Sequence, residues 1–111
     1  MDKQTILCKR FGADYHPSLP HLKLGVALAT LGQEPINGLR HSPKGETTGW
    51  YIWAGEQFSS DADFFQPVHH AHLDELLPAI VPYLGLSAGW RFLIAPGHED
   101  VWFDACLLHE T

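Results

Sequence analysis

The stretch GWRFLIAPGHEDVWFD, residues 89–104, decides the fold. Two apolar and aromatic runs, WRFLIA and EDVWFD, flank a Pro96-Gly97 pair that sets a turn. Pairing Ala95 with His98 places Phe92 opposite Val101, Trp90 opposite Phe103 and Arg91 opposite Trp102. Strand side chains alternate, so Trp90, Phe92, Ile94, Val101 and Phe103 share one face, which should be core. Arg91, Leu93, Asp100, Trp102 and Asp104 share the other. There Arg91 meets an indole, a cation–π contact worth about 0.5–2 kcal/mol, and diagonal carboxylates, which as surface ion pairs add only about 0–1 kcal/mol. Two readings of this second face stand side by side. It is either a cross-strand cluster that stabilises the hairpin or an aromatic and acidic patch for a partner. A one-residue slip in register would exchange the faces.

Working outward from the hairpin, GWYIWAG (49–55) is a further aromatic and β-branched strand between glycines. INGLRH (36–41) reads as a short strand with a bulge or tight turn at Asn37-Gly38. In LKLGVALAT (22–30), Leu22, Leu24, Val26 and Leu28 recur at a period of two, the strand period. Leu73, Leu76, Leu77, Ile80 and Leu84 follow a helical spacing, interrupted by Pro78 and Pro82, so a kinked helix or two short helices are expected. Gly85 is suited to end it. EQFSSDADFFQPVHH (56–70) reads as a long acidic and aromatic connection. TILCKRF (5–11) reads as a short edge strand or part of an ordered arm, and the prolines of ADYHPSLPH (13–21) forbid a regular helix there. The expected fold is α+β: one domain over 1–111, an antiparallel sheet of four to six strands, helices packed on one face, and residues 1–21 an irregular arm.

A chain of 111 residues with 45% hydrophobic content supports one core. The net charge of −6 argues against a nucleic-acid or anionic-membrane surface and suits a basic partner. No apolar run approaches the roughly 20 residues that span a bilayer, and no leader pattern opens the chain. A cytoplasmic protein with Cys8 and Cys106 as free thiols is therefore expected.

Chemistry has few footholds. His69, His70 and His72 lie beside Asp74 and Glu75, a composition metals favour, yet the spacing matches no HExxH or zinc-finger pattern. DADFF lacks the glycine and terminal glutamate of a calcium loop. Neither cysteine sits in a nucleophile motif. GxGxxG, P-loop and G-x-S-x-G patterns do not occur. Glu56 or Asp61 could pair with Glu99 or Asp100 as acid and base only if the fold brought them together. No cofactor and no catalytic residue are expected.

The order of motifs is informative. VALATLGQEPINGLRHSP and ETTGWYIWAGE, then a helix, then LGLSAGWRFLIAPGHEDVWFD, resemble the immunity-protein-like family that forms the thirty-third immunity class of bacterial polymorphic toxin systems. The shared layout is a Gly-Trp strand ending in Gly-Glu (Gly49, Trp50, Gly55, Glu56), an acidic loop, a helix, a Gly-x-x-Phe strand and a Trp-x-Asp ending, across residues 25–105. Of the family's arginine-acid pair after the second strand, Arg40 alone is present. The resemblance implies a non-enzymatic protein that binds and neutralises a toxin by covering its working surface. The contact residues expected for a basic toxin or effector are Tyr51, Trp53, Glu56, Asp61, Asp63, Arg91, Asp100 and Trp102. The rival reading is a small-ligand or metal-binding protein, with or without turnover, built on His69, His70 and His72. A third is a module that pairs with its own kind, as a homodimer, through a free strand edge.

Overall fold

The computed structural model describes residues 2–19, 21–56 and 64–108. Six strands form one sheet: β1 (Lys23–Val26), β2 (Ile36–Arg40), β3 (Thr47–Ala54), β4 (Gln66–His69), β5 (Trp90–Ala95) and β6 (His98–Phe103), in the order β4-β1-β3-β2-β5-β6. The sheet is mixed, not antiparallel throughout. β1 lies beside β3 and parallel to it, because the intervening β2 folds back to the far side of β3. All other pairings are antiparallel. The α+β class holds.

Helices cover one face. Residues 3–11, expected as an edge strand or irregular arm, are instead helix α1 (Lys3–Phe11). Its ends explain why: the Asp2 side chain accepts from the Thr5 N–H at 2.8 Å, and Gly12 closes the C-terminus at φ 72°. Lys9 and Arg10 in the last turn complement the helix dipole, and Leu7 and Cys8 are buried against the sheet. The proline-interrupted stretch forms two short helices, α2 (His70–Leu76) and a 3-10 helix (Pro78–Tyr83) that starts on Pro78. Gln4 of α1 donates to the Val81 carbonyl at 2.9 Å, tying the first helix to the second pair.

Between helices and sheet lies the main core: Leu24, Val26, Trp50, Ile52 and Phe92 from strands, Leu73, Ile80, Leu84 and Leu86 from the helical side. Phe92 stacks on Tyr83 and contacts Trp50. Gly38 on β2 leaves the space that the Phe92 ring fills.

One buried cation organises this side. Arg40 is 2% exposed. Its guanidinium donates to the carbonyls of Thr48 (2.8 Å), His16 (2.7 Å) and Leu86 (2.8 Å), and lies over the Trp50 ring at 5.6 Å. Burial pulls its pKa down to about 10, which leaves it charged at neutral pH. Three separate segments thus meet on one side chain.

Candidate functional site: the open sheet face

The hairpin register is the expected one, running from Ala95↔His98 to Trp90↔Phe103. Combined with the neighbouring registers, it assembles a row across the face opposite the helices. Gly25 pairs with Tyr51, Tyr51 with Leu39, Leu39 with Arg91, and Arg91 with Trp102. A second row runs Trp53, Asn37, Leu93, Asp100. Five of the expected contact residues, Tyr51, Trp53, Arg91, Asp100 and Trp102, therefore share one face although they come from three strands. Glu56 is exposed just beyond the end of β3, and Asp61 and Asp63 lie outside the described residues.

Two expectations need correction. Trp53 does not present itself to solvent: it is 7% exposed, packed with Ala27, Leu39 and Leu107 and edge-on to Phe65. Phe103, assigned to the core face, is 48% exposed, because β6 is the outermost strand and the helices do not extend over its end. Phe103 rests instead against Trp90.

Residues not anticipated at this face supply its cover. Phe64 and Phe65 lean over it from the chain preceding β4, and Phe65 meets Tyr51 edge-on at 5.1 Å. A short 3-10 helix (Ala105–Leu108) follows β6 and plants Leu107 on Leu39 and Trp53. His41 Nδ1 is 3.1 Å from the Leu107 carbonyl, and its ring contacts Tyr51. The Phe-Phe pair before QPV is the signal that the sequence offers; β4 lies within the stretch 56–70 expected as a connection. Pro67 is tolerated since β4 is an edge. A cleft of about 220 Å³ opens between Leu39, His41, Tyr51 and Phe65.

At the β6 end the face stays open. Trp102 there is 39% exposed, and Tyr51, farther across the sheet on β3, is 38% exposed. The Arg91 guanidinium lies over the Trp102 ring at 5.3 Å and donates to Asp104 at 3.2 Å. The Asp104 carboxyl is held below its ordinary value, first by the Cys106 backbone N–H and then by Arg91. Arg91 Nε is buried and makes no hydrogen bond, a local cost to stability. Asp100 is exposed and pairs with His98 at 2.8 Å.

The alternative sites are dispersed by the fold. His70 turns inward, 8% exposed, with Nδ1 2.8 Å from the Ser18 hydroxyl, while His69 and His72 stay outside with rings 6.0 Å apart. Burial, partly opposed by Asp74, lowers the His70 pKa. No group of three histidine, cysteine or acidic side chains converges to hold a metal among the described residues. Glu99 and Asp100 alternate to opposite faces, and Glu99 is engaged by Arg10 and the Tyr83 hydroxyl on the helical side. Cys8 is buried, with its thiol pKa pushed up by burial, and Cys106 is exposed. No described helix is long and apolar enough to cross a membrane.

The comparisons with known proteins give one finding: the model of the Imm33-like domain matches residues 3–104. No curated protein and no solved structure matches the chain.

Proposed function

We propose that this chain, which belongs to the Imm33-like family, is a cytoplasmic immunity protein that neutralises a toxin by occluding it with the open sheet face. The single observation that carries the reading is the co-facial row of Tyr51, Leu39, Arg91 and Trp102 opposite α1 and α2, whose two ends are exposed aromatics while Leu107 covers Leu39 between them. Tryptophan, tyrosine and arginine are the residues that most often dominate interface energy. Arg91 is held in place by Asp104 and Trp102, so little side-chain entropy is lost when a partner packs on it. Glu56 and Asp100 supply acidic groups at the rim, Asp61 and Asp63 remain contacts expected from the sequence, and the net charge of −6 steers a basic partner. Trp53 contributes from beneath, by supporting the face. The role is binding, not turnover.

The test is capture of the native partner followed by measured affinity and rescue. The captured protein, produced alone, should arrest growth, and co-expression of this chain should restore it. Trp102→Ala and Tyr51→Ala should each weaken binding by about 2 kcal/mol, roughly 30-fold in Kd. A partner whose toxicity persists under co-expression, or an affinity indifferent to both substitutions, overturns the reading.

A further inference from the structure

The two edges of the sheet are treated differently. β4 has four residues, carries Pro67 and runs directly into α2, devices that blunt an edge against further pairing. β6 has six residues, contains no proline or lysine, and pairs with β5 without a bulge. Every residue of β6 except Val101 is exposed. Its end is apolar on both faces, with Trp102 on the open face and Phe103 on the helical one.

The backbone pattern says which groups are unpaired. The two-residue turn makes Ala95/His98 a hydrogen-bonded pair, and the Asp104 N–H donates to the Gly89 carbonyl at 2.7 Å. Alternation then directs the N–H and C=O of Glu99, Val101 and Phe103 outward, along an edge that no strand pairs among the described residues.

Charge is the usual guard on such an edge, and β6 is acidic in sequence. In the fold that acidity is matched internally: Glu99 pairs with Arg10, Asp100 with His98, and Asp104 with Arg91. A second copy approaching β6 therefore meets Glu99 and Asp104 already paired with arginines, and Asp100 already hydrogen-bonded to His98. The strand is also complementary to itself. About a two-fold axis at Val101, Val101 faces its own copy, Asp100 faces Trp102, Glu99 faces Phe103, and His98 faces Asp104. In no pair are like charges opposed, and the last sets an imidazole, which can donate a hydrogen bond, against a carboxylate.

We propose that β6 is a dimerisation edge: a second copy of this chain adds its β6 antiparallel about an axis at Val101, joining two six-stranded sheets into one. The open faces of the two copies then form one continuous surface with both Trp102 rings beside the axis. This inference does not rest on the toxin reading.

Sedimentation equilibrium of the full chain should give a mass rising with concentration to twice 12.4 kDa. Val101→Pro removes an outward N–H while sparing the β5–β6 ladder, and should hold the mass at one chain. Trp102→Glu, which sets a carboxylate against Asp100 of the other copy twice over, should do the same without touching the backbone. In a Cys106→Ser background, Val101→Cys should oxidise to a covalent dimer, since hydrogen-bonded antiparallel partners have Cα atoms about 5.5 Å apart. Phe103→Cys should not, because four residues along the strand separate its copies by roughly 14 Å. A wild-type mass of one chain up to millimolar concentration overturns the proposal, as does a dimer indifferent to Trp102→Glu or cross-linking at 103 equal to that at 101.

Discussion

Replacing Arg40 by methionine should be among the most damaging single changes in this protein. The perturbation removes a guanidinium that donates to three carbonyls at 2.7–2.8 Å, on Thr48, His16 and Leu86. Hydrogen bonds from a charged donor are worth about 1.5–3 kcal/mol each, and a buried carbonyl left unpaired costs about 1–3 kcal/mol. Against that loss stands the desolvation of a cation that is 2% exposed, several kcal/mol that methionine no longer incurs. The difference is a net loss of about 3–5 kcal/mol, comparable to breaking a buried ion pair. A domain of this size has about 5–15 kcal/mol in total, and 1 kcal/mol corresponds to about 4 °C in Tm. Tm should therefore fall by roughly 12–20 °C. The readout is thermal and urea unfolding by tryptophan fluorescence, since the Trp50 indole lies under the guanidinium and donates to the Leu84 carbonyl. Arg40→Lys should recover less than half of the loss, because one ammonium cannot reach three carbonyls on separate segments. An Arg40→Met protein within about 1 kcal/mol of wild type would refute the argument that these contacts outweigh desolvation.

Gly38→Ala should destabilise by about 1–3 kcal/mol in urea titration, because the added methyl enters the space of the Phe92 ring, itself held between Trp50 and Tyr83. His70 has a folded pKa lowered chiefly by burial, so below the ordinary value near 6.5 the unfolded chain takes up the proton more readily. Its stabilising contribution is present above that pH and lost as pH falls; His70→Gln should flatten the slope of urea midpoint against pH between about 5 and 7. Tyr83 is pushed up to about 12, by burial first and then by its hydrogen bond to Glu99. The unfolded phenol ionises first, so stability should decline as pH rises through 10 to 12, and Tyr83→Phe should remove that decline. A thiol reagent should label Cys106 at once and Cys8 only in denaturant, one equivalent before unfolding and two after. Equal labelling rates would contradict the burial of Cys8.

How much of this was legible beforehand depends on how local the deciding interaction is. The β5–β6 register follows from a Pro-Gly turn flanked by alternating apolar residues, and that register alone sets Arg91 opposite Trp102. The proline-split helices and the strands at 36–40 and 47–54 are local in the same sense. The resemblance in motif order agrees with the family match. Helix α1 was missed because its apolar content suits a strand as well, and the interactions that select the helix are an Asp2 cap, a Gly12 stop and docking on the 3-10 helix (Pro78–Tyr83). The burial of Trp53 follows from Phe65 and Leu107 closing over it, residues 12 and 54 positions away along the chain.

The sequence by itself determined the α+β class, the alternation that divides each strand between two faces, and the turn that aligns the last hairpin. These depend on side-chain periodicity and turn chemistry within a few residues. Only the tertiary structure decided that β1 runs parallel to β3, that Arg40 is a buried hub and not a surface charge, that His70 leaves the histidine cluster for Ser18, and that Tyr51 joins Arg91 and Trp102 on one face. Each of those rests on partners brought together from distant parts of the chain, and a sequence read along its length carries the residues of such a contact but not the registers that join them.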